Sequence, residues 1–311
     1  MLEIEDKFLK TLIIKSNGNS FERYFSNNMK RKSVDIGDVK ESYGKVETLR
    51  KILNKLQITP LYTFWLNNWK YHIKEYDTVI IFDYVLSLSL VKWIRSKNKN
   101  CVIKIWLWNI PTFEIEPFKK YATLYCFDKN YAKNNNIKFV EQFYIPKKSS
   151  VKDDKKGVVY IGYDKDRYKK LKFIAQELQK NQIYYHFNLQ RNPENSYLDN
   201  ESDIKLIDKP MDYEQVVDIS NMYNTILELN ISGQSGLTLR TMEALFYHKK
   251  LITNNENVKN FPFYNKNNFY VLGKETRSIK SFIDGSFQKV DDQLLSKYTY
   301  EKWLNNIMED F

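Results

Sequence analysis

Cysteine and histidine are scarce in this 311-residue sequence, with two of the first and three of the second. Cys101 and Cys126 each lie in an apolar, strand-like run. They support no disulfide framework and no metal cluster, and buried free thiols are expected. His72, His186 and His248 show no ligand spacing and read as structural or surface residues. Long apolar runs are missing too: none reaches the ~18 residues a membrane span needs. The best candidate, "TVIIFDYVLSLSLVKWI", is interrupted by Asp83 and reads as a strand followed by a helix. The opening "MLEIEDKFLK" is acidic and has no long apolar core, so no signal peptide is expected. Repeats and low-complexity segments are also lacking. These absences predict a cytoplasmic protein, with peripheral attachment to the inner face of the cell membrane as the membrane role left open.

What is present describes a globular chain. Hydrophobic residues make up 42% and charged residues 28%, and the length suits two domains. Tyr (23) and Phe (19) are plentiful, so aromatic-rich cores are expected. The formal charge of +11 points to an anionic partner: a membrane surface, a phosphorylated substrate or a nucleic acid. The basic residues are scattered rather than forming one stripe, and no recognised nucleic-acid module is present, so no nucleic-acid partner is expected.

Strand-like and helix-like patterns alternate along the chain. In the first half, strands are expected at 11–16, 78–83, 101–109 and 122–128, with helices at 19–30, 44–56 and from 84 to about 96. The stretch "IPKKSSVKDDKKG" (145–157) is almost devoid of apolar residues and reads as a linker. Strands then recur at 158–162, 183–190, 203–208 and 225–230, with helices at 168–180 and 213–222. A helix is expected over 291–311. The alternation predicts an α/β protein with two doubly wound, Rossmann-like parallel sheets facing a cleft. The expected domains are 1–150, 151–290, and a C-terminal helix 291–311 that packs across the junction.

The chemistry concentrates in "SGQSGLTLRTMEALFYHKKLITNN", Ser232–Asn255. A helix start after a strand offers unpaired N–H groups and partial positive charge, which suits a phosphate. Here Gly236, Leu237 and Thr238 would supply N–H groups to a diphosphate. Ser235 or Thr238 would cap the helix or add a hydroxyl. Glu243, two turns on, is placed to accept both hydroxyls of a ribose. The plainer alternative pairs Glu243 with Arg240 at i−3 on the helix face.

The segments "YIGYDKDR", "QSGLTLRTMEAL" and "KKLITNN", in that order, resemble GT-B fold bacterial glycosyltransferases of capsule and lipopolysaccharide biosynthesis. The specific match covers about 155–256. It implies a metal-independent hexosyltransferase that takes a nucleotide-sugar donor as substrate, has no cofactor and works in cell-surface polysaccharide synthesis. The partner implied is a saccharide or lipid-linked acceptor, while the +11 charge with no spanning segment leads to the expectation of an anionic membrane surface as a further partner. The second domain would bind donor and the first acceptor.

Glu243 matches the family's ribose-binding glutamate. Gly162 would make room for the donor, and Arg167, then Lys165, would meet its phosphates. Arg240 would either lean into the cleft or pair with Glu243. Pro210, Met211 and Tyr213 fall where the family loop passes over the base, while Asp212 with Gln215 resembles a capping box. Asp164 and Asp166 have Asp-x-Asp metal spacing, but the resemblance is to metal-independent enzymes and no metal site is expected.

The catalytic candidates are Arg167 and Asp83. Asp83 ends a buried strand and is read either as a general base or as a helix N-cap. Asp128 carries the same two readings. Ser235 stands where retaining relatives have a first glutamate, so that residue's role is not carried over and the stereochemical outcome stays open. The same substitution motivates the alternative of a non-catalytic partner subunit of a transferase complex.

Overall fold

The computed structural model describes residues 10–40, 44–55, 60–148, 155–192, 194, 204–230 and 235–309. These fall into two compact units. The first comprises 1–142 and 303–311 and the second 143–302. Residues 149–154 of the expected linker and 232–234 of the glycine-rich opening lie outside the described residues.

The first unit is built on β1 (Thr11–Ile14), β2 (Val34–Gly37), β3 (Thr78–Phe82), β4 (Val102–Leu107), β5 (Thr123–Cys126) and β6 (Lys138–Phe139), all parallel, in the order β2-β1-β3-β4-β5-β6. β1 and β3 are buried along their whole length, as apolar runs covered on both faces must be. The helices are α1 (Ser20–Met29), α2 (Gly44–Lys55), α3 (Leu88–Lys97), α4 (Glu116–Lys119) and α5 (Lys129–Asn134). Two 3₁₀ segments, Pro60–Trp65 and Asn68–Glu75, carry the chain into β3. Aromatic packing fills the core: Trp108 contacts Phe21, Phe25 and Phe82, and Trp106 meets Trp303 edge-on.

The second unit contains β7 (Lys155–Tyr163), β8 (Tyr185–Gln190), β9 (Ile204–Ile207), β10 (Tyr223–Glu228), β11 (Lys250–Thr253) and β12 (Phe269–Val271), again all parallel, in the order β12-β11-β10-β7-β8-β9. Its helices are α6 (Tyr168–Lys180), α7 (Tyr213–Asn221), α8 (Leu239–Phe246), α9 (Ile279–Asp284) and α10 (Asp292–Leu295). Val158, Leu171, Leu178, Phe187, Leu227, Ile252 and Phe282 belong to one core cluster.

The expected single helix over 291–311 is corrected. α10 ends at Leu295, Ser296–Tyr298 forms a 3₁₀ turn, and α11 (Tyr300–Glu309) begins afterwards. The Thr299 hydroxyl accepts from the Lys302 N–H, so the chain restarts there. Residues 300–302 of α11 belong to the second unit and 303–309 to the first.

Several lysines are buried and bond helix ends, as basic side chains near a C-terminus do. Lys104 Nζ donates to the carbonyl of Ile307 (2.7 Å). Lys249 donates to Asn221 at the end of α7 (2.8 Å). Lys250 donates to Phe282 (2.6 Å), Ile283 (3.0 Å) and Gly285 around the end of α9. Lys15, just past β1, is buried against Glu22, the Glu22 carbonyl (2.8 Å) and Ser26 (3.2 Å). Burial lowers its pKa despite the Glu22 charge.

Candidate functional site

In open α/β sheets ligands bind beyond the carboxyl ends of the strands, where the strand order reverses. In the second sheet that point lies between β7 and β10. The segment after β7, Asp164–Arg167, and the segment after β10 leading into α8 meet there. Arg240, in the first turn of α8, donates from one guanidinium nitrogen to the carbonyl of Ile161 in β7 (2.9 Å) and from another to Glu243 Oε2. The Arg240 side chain is 26% exposed, while that of Glu243 is 2% exposed. Burial pulls the guanidinium pKa down, but Glu243 and then Tyr213 outweigh this and the net shift is upward.

Arg167 and Arg240 both bear on Tyr160. Burial raises that phenol, and the two cations partly offset the rise. Arg167 donates to the Tyr163 carbonyl (3.2 Å), and its Nε is buried without a hydrogen-bond partner. Burial, then the Arg167 charge, lowers the Lys165 ammonium. Lys165 and Asp166 have φ of 38° and 63°, a left-handed pair that non-glycine residues adopt at a cost. Arg240, Arg167 and Lys165 thus crowd the carboxyl end of β7, an arrangement suited to a polyanion.

The i−3 pair of Glu243 with Arg240 is formed, and Tyr213 Oη donates to the other carboxylate oxygen (3.3 Å). Tyr213 is itself buried and hydrogen-bonded to Tyr144 Oη (3.0 Å), which also donates to Tyr247 (3.2 Å). Burial and then the Glu243 charge raise the Tyr213 phenol well above its ordinary value. Tyr213 is therefore corrected as a base contact, because its hydroxyl is directed inward onto Glu243. Pro210 is exposed, and the Met211 sulfur accepts from Asn188 Nδ2 (3.7 Å). Asp212 caps α7 through the Glu214 N–H (3.1 Å).

At the mouth of α8, Thr238 Oγ1 accepts from the N–H groups of Arg240 (3.0 Å) and Thr241 (3.5 Å). That is the capping role read from the sequence. Asn255 Nδ2 holds the carbonyls of Ser235 and Gly236, both at 3.4 Å, while the Leu237 side chain is buried. Gly162 lies close to the Tyr160 side chain, which would have to shift by a few tenths of an ångström to admit a Cβ. A Cβ there would lie 3.0 Å from Tyr160 Oη, on its own strand.

Two residues escaped sequence reasoning. Glu228, the last residue of β10, is buried and accepts from the hydroxyls of Thr238, Thr241 (2.7 Å) and Thr253 (2.5 Å). Its donors come from the start of α8 and the end of β11, so no local spacing announces it. Asn230 is buried beyond the same strand, and its Nδ2 has no hydrogen-bond partner. Only its place at a strand end marks it in the sequence.

Asp164 of the Asp-x-Asp tripeptide has a structural use. Asp164 is buried, and its Oδ1 accepts from the N–H groups of Arg167 (3.0 Å) and Tyr168 (2.9 Å), closing the turn into α6. Among the described residues no group of three His, Cys, Asp or Glu side chains is arranged to hold a metal. Asp164→Ala is expected to cost ~1–2 kcal/mol, as helix caps do. Urea melts of the two proteins check this, and an unchanged melt with altered Mn²⁺ binding would reverse the assignment.

In the first sheet the strand order reverses between β1 and β3. Asp83 follows β3 there. It does not cap a helix: Ser87 caps α3 (3.2 Å), and Asp83 Oδ2 accepts from the N–H (2.9 Å) and the Nδ2 (3.1 Å) of Asn109. Burial raises its carboxyl pKa to about 6, against the opposing pull of the Asn109 bonds. Asp128 is a cap, accepting from the Tyr131 N–H (2.9 Å).

No family model matches the chain, and no curated protein matches it in sequence. Solved structures do. An alpha-glucosyltransferase in complex with UDP is 10% identical with a TM-score of 0.52, over 97% of this chain and 90% of that one. The alpha-glucosyltransferase in complex with UDP and a 13-mer DNA containing an HMU base is likewise 10% identical over the same shares, with a TM-score of 0.51. The T4 phage beta-glucosyltransferase is 13% identical over 84% of each chain, with a TM-score of 0.44. The likeness is one of fold: two parallel six-stranded sheets with flanking helices, the GT-B fold. It also corrects one expectation. Scattered basic residues and the lack of a familiar module had excluded a nucleic-acid partner, yet a protein of this fold is seen bound to DNA. The fold itself can present a DNA-binding surface, so module-spotting was no ground for the exclusion.

Proposed function

We propose that this protein is a glycosyltransferase that moves a sugar from a nucleotide diphosphate donor to an acceptor hydroxyl. The observation that carries the reading is the cluster of Arg240, Arg167 and Lys165 at the strand-order reversal of the second sheet, beside the start of α8. The bond from the anomeric carbon to the diphosphate oxygen breaks, and the charge left on the diphosphate is met by the two guanidinium groups and by N–H groups of Gly236, Leu237 and Thr238. The new bond forms to the acceptor oxygen, whose proton passes to Asp83 acting as general base. Glu243 fixes the fork of Arg240 and, where a ribose reaches it, accepts a hydroxyl. The donor domain is the second unit and the acceptor domain the first.

The resemblance of "QSGLTLRTMEAL" and its flanking motifs supports a saccharide or lipid-linked acceptor in cell-surface polysaccharide synthesis. The DNA-bound structure of similar fold, with the +11 charge, supports a second acceptor class, hydroxymethylated DNA. Labelled UDP-glucose and other nucleotide sugars, offered with either acceptor, test both. Turnover is expected to persist in EDTA, because cations of the chain itself face the diphosphate. Loss in EDTA with recovery on Mn²⁺ would overturn this part. No donor binding and no turnover with any pair would favour the non-catalytic partner subunit.

A further inference from the structure

The first unit carries an apolar surface with no use in the site described above. On α2, Val46, Leu49 and Ile52 recur every three residues and are all about half exposed, while Leu53 points into the core. The 3₁₀ segment Pro60–Trp65 packs against α2 and adds exposed Leu61 and Phe64, the latter 68% exposed. Tyr71, on the following 3₁₀ segment, is also exposed. Exposed large apolar residues grouped in this way mark an interaction site more often than chance exposure.

Basic residues outnumber acids around this surface. Between 44 and 75 the sequence holds Lys45, Arg50, Lys51, Lys55, Lys70 and Lys74 against Glu47 and Glu75, and Glu75 is ion-paired with Lys10. Lys51, Lys55 and Lys74 are exposed. A helix with apolar residues on one side and lysines on another is suited to lie in a lipid headgroup region, with its apolar side chains below that level. Exposed tyrosine suits the same depth. Phosphates of a nucleic acid would meet the lysines but offer nothing to Leu49, Ile52 and Phe64. An acidic bilayer surface meets both.

We propose that α2 and the segment Pro60–Trp65 form a docking surface for an anionic lipid bilayer, holding the first unit at the membrane without spanning it. Among the described residues no helix is long and apolar enough to cross one. Docking is independent of sugar transfer and is measured without donor.

The test is flotation of the full chain with vesicles of phosphatidylcholine alone or mixed with phosphatidylglycerol. Binding to the mixed vesicles is expected, weakening as salt rises. Leu49→Ser with Phe64→Ser should reduce it at least ~10-fold, given the transfer free energy of two such side chains. Lys51→Glu with Lys55→Glu should reduce it further at low salt than at high salt. All four positions are exposed, so unchanged melting curves are expected and separate lost docking from lost folding. No flotation at low salt would overturn the proposal. So would flotation indifferent to the serine pair. A serine pair that dissolves a dimer, or that weakens retention of duplex DNA while leaving flotation intact, would assign the surface to that partner instead.

Discussion

Replacing Arg240 with alanine is expected to lower donor-dependent turnover ~10²- to 10³-fold, the usual effect of removing a group that meets charge developing in the transition state. It should also cost the fold ~3–5 kcal/mol. The second effect follows from Glu243, whose side chain is 2% exposed and would keep only Tyr213 as a partner. Removing both charges together, as Arg240→Met with Glu243→Leu, should restore most of the stability, because a buried pair replaced by apolar side chains is often near neutral. Turnover should stay lost. Denaturant unfolding and a transfer assay on the three proteins decide the matter. An Arg240→Ala variant with wild-type stability and rate would remove the pair from both roles. Glu243→Ala sharpens the ribose question: a carboxylate that meets ribose hydroxyls predicts a ~10-fold or greater rise in nucleotide dissociation constant, read by calorimetric titration.

Asp83→Asn is expected to lower turnover ~10²- to 10⁴-fold, the range for a lost general base. It should also abolish a step near pH 6 in the rate profile, where the folded-state carboxyl titrates. Stability moves the other way. The unfolded carboxyl releases its proton near pH 4, and the folded one near 6. Between these values the folded chain holds a proton that the unfolded chain has lost, so stability falls as pH rises through this window. Above it the penalty is constant. Asparagine carries no such penalty, so at pH 7 the variant should be more stable by ~1–2 kcal/mol, discounted for partial exposure, and at pH 4 the two should match. Melting curves at both pH values give the comparison. A variant less stable at pH 7 would mean that the Asn109 bonds to the charged form outweigh burial.

The strands were legible because apolar runs such as "TVIIF" and "TILE" are buried on both faces, and composition alone marks such runs. β2 was not, since "VDIG" is short and only partly buried. The stretch from Pro60 to Glu75 has no regular period and folds as 3₁₀ turns instead of a helix. In the site, the Arg240–Glu243 pair could be read from i,i+3 spacing and the Thr238 cap from its place before the helix. Tyr213 as partner of Glu243, and the three threonines around Glu228, join residues 10 to 30 apart across different elements. No window along the chain shows such pairs. The elevated Asp83 pKa has the same origin, since it depends on what the fold places over the carboxyl.

The buried lysines have a consequence for chemical labelling. Reagents that acylate primary amines react with ammonium groups that reach solvent and shed a proton. Lys15, Lys104, Lys249 and Lys250 are kept from solvent in the native chain, with each Nζ held on backbone carbonyls. Each becomes reactive only when the helix end or turn it secures lets go. Lys15 and Lys104 belong to the first unit, Lys249 and Lys250 to the second. The molecule therefore carries an intrinsic pair of timers, and the order in which these four amines acquire mass tags in denaturant reveals which half opens first.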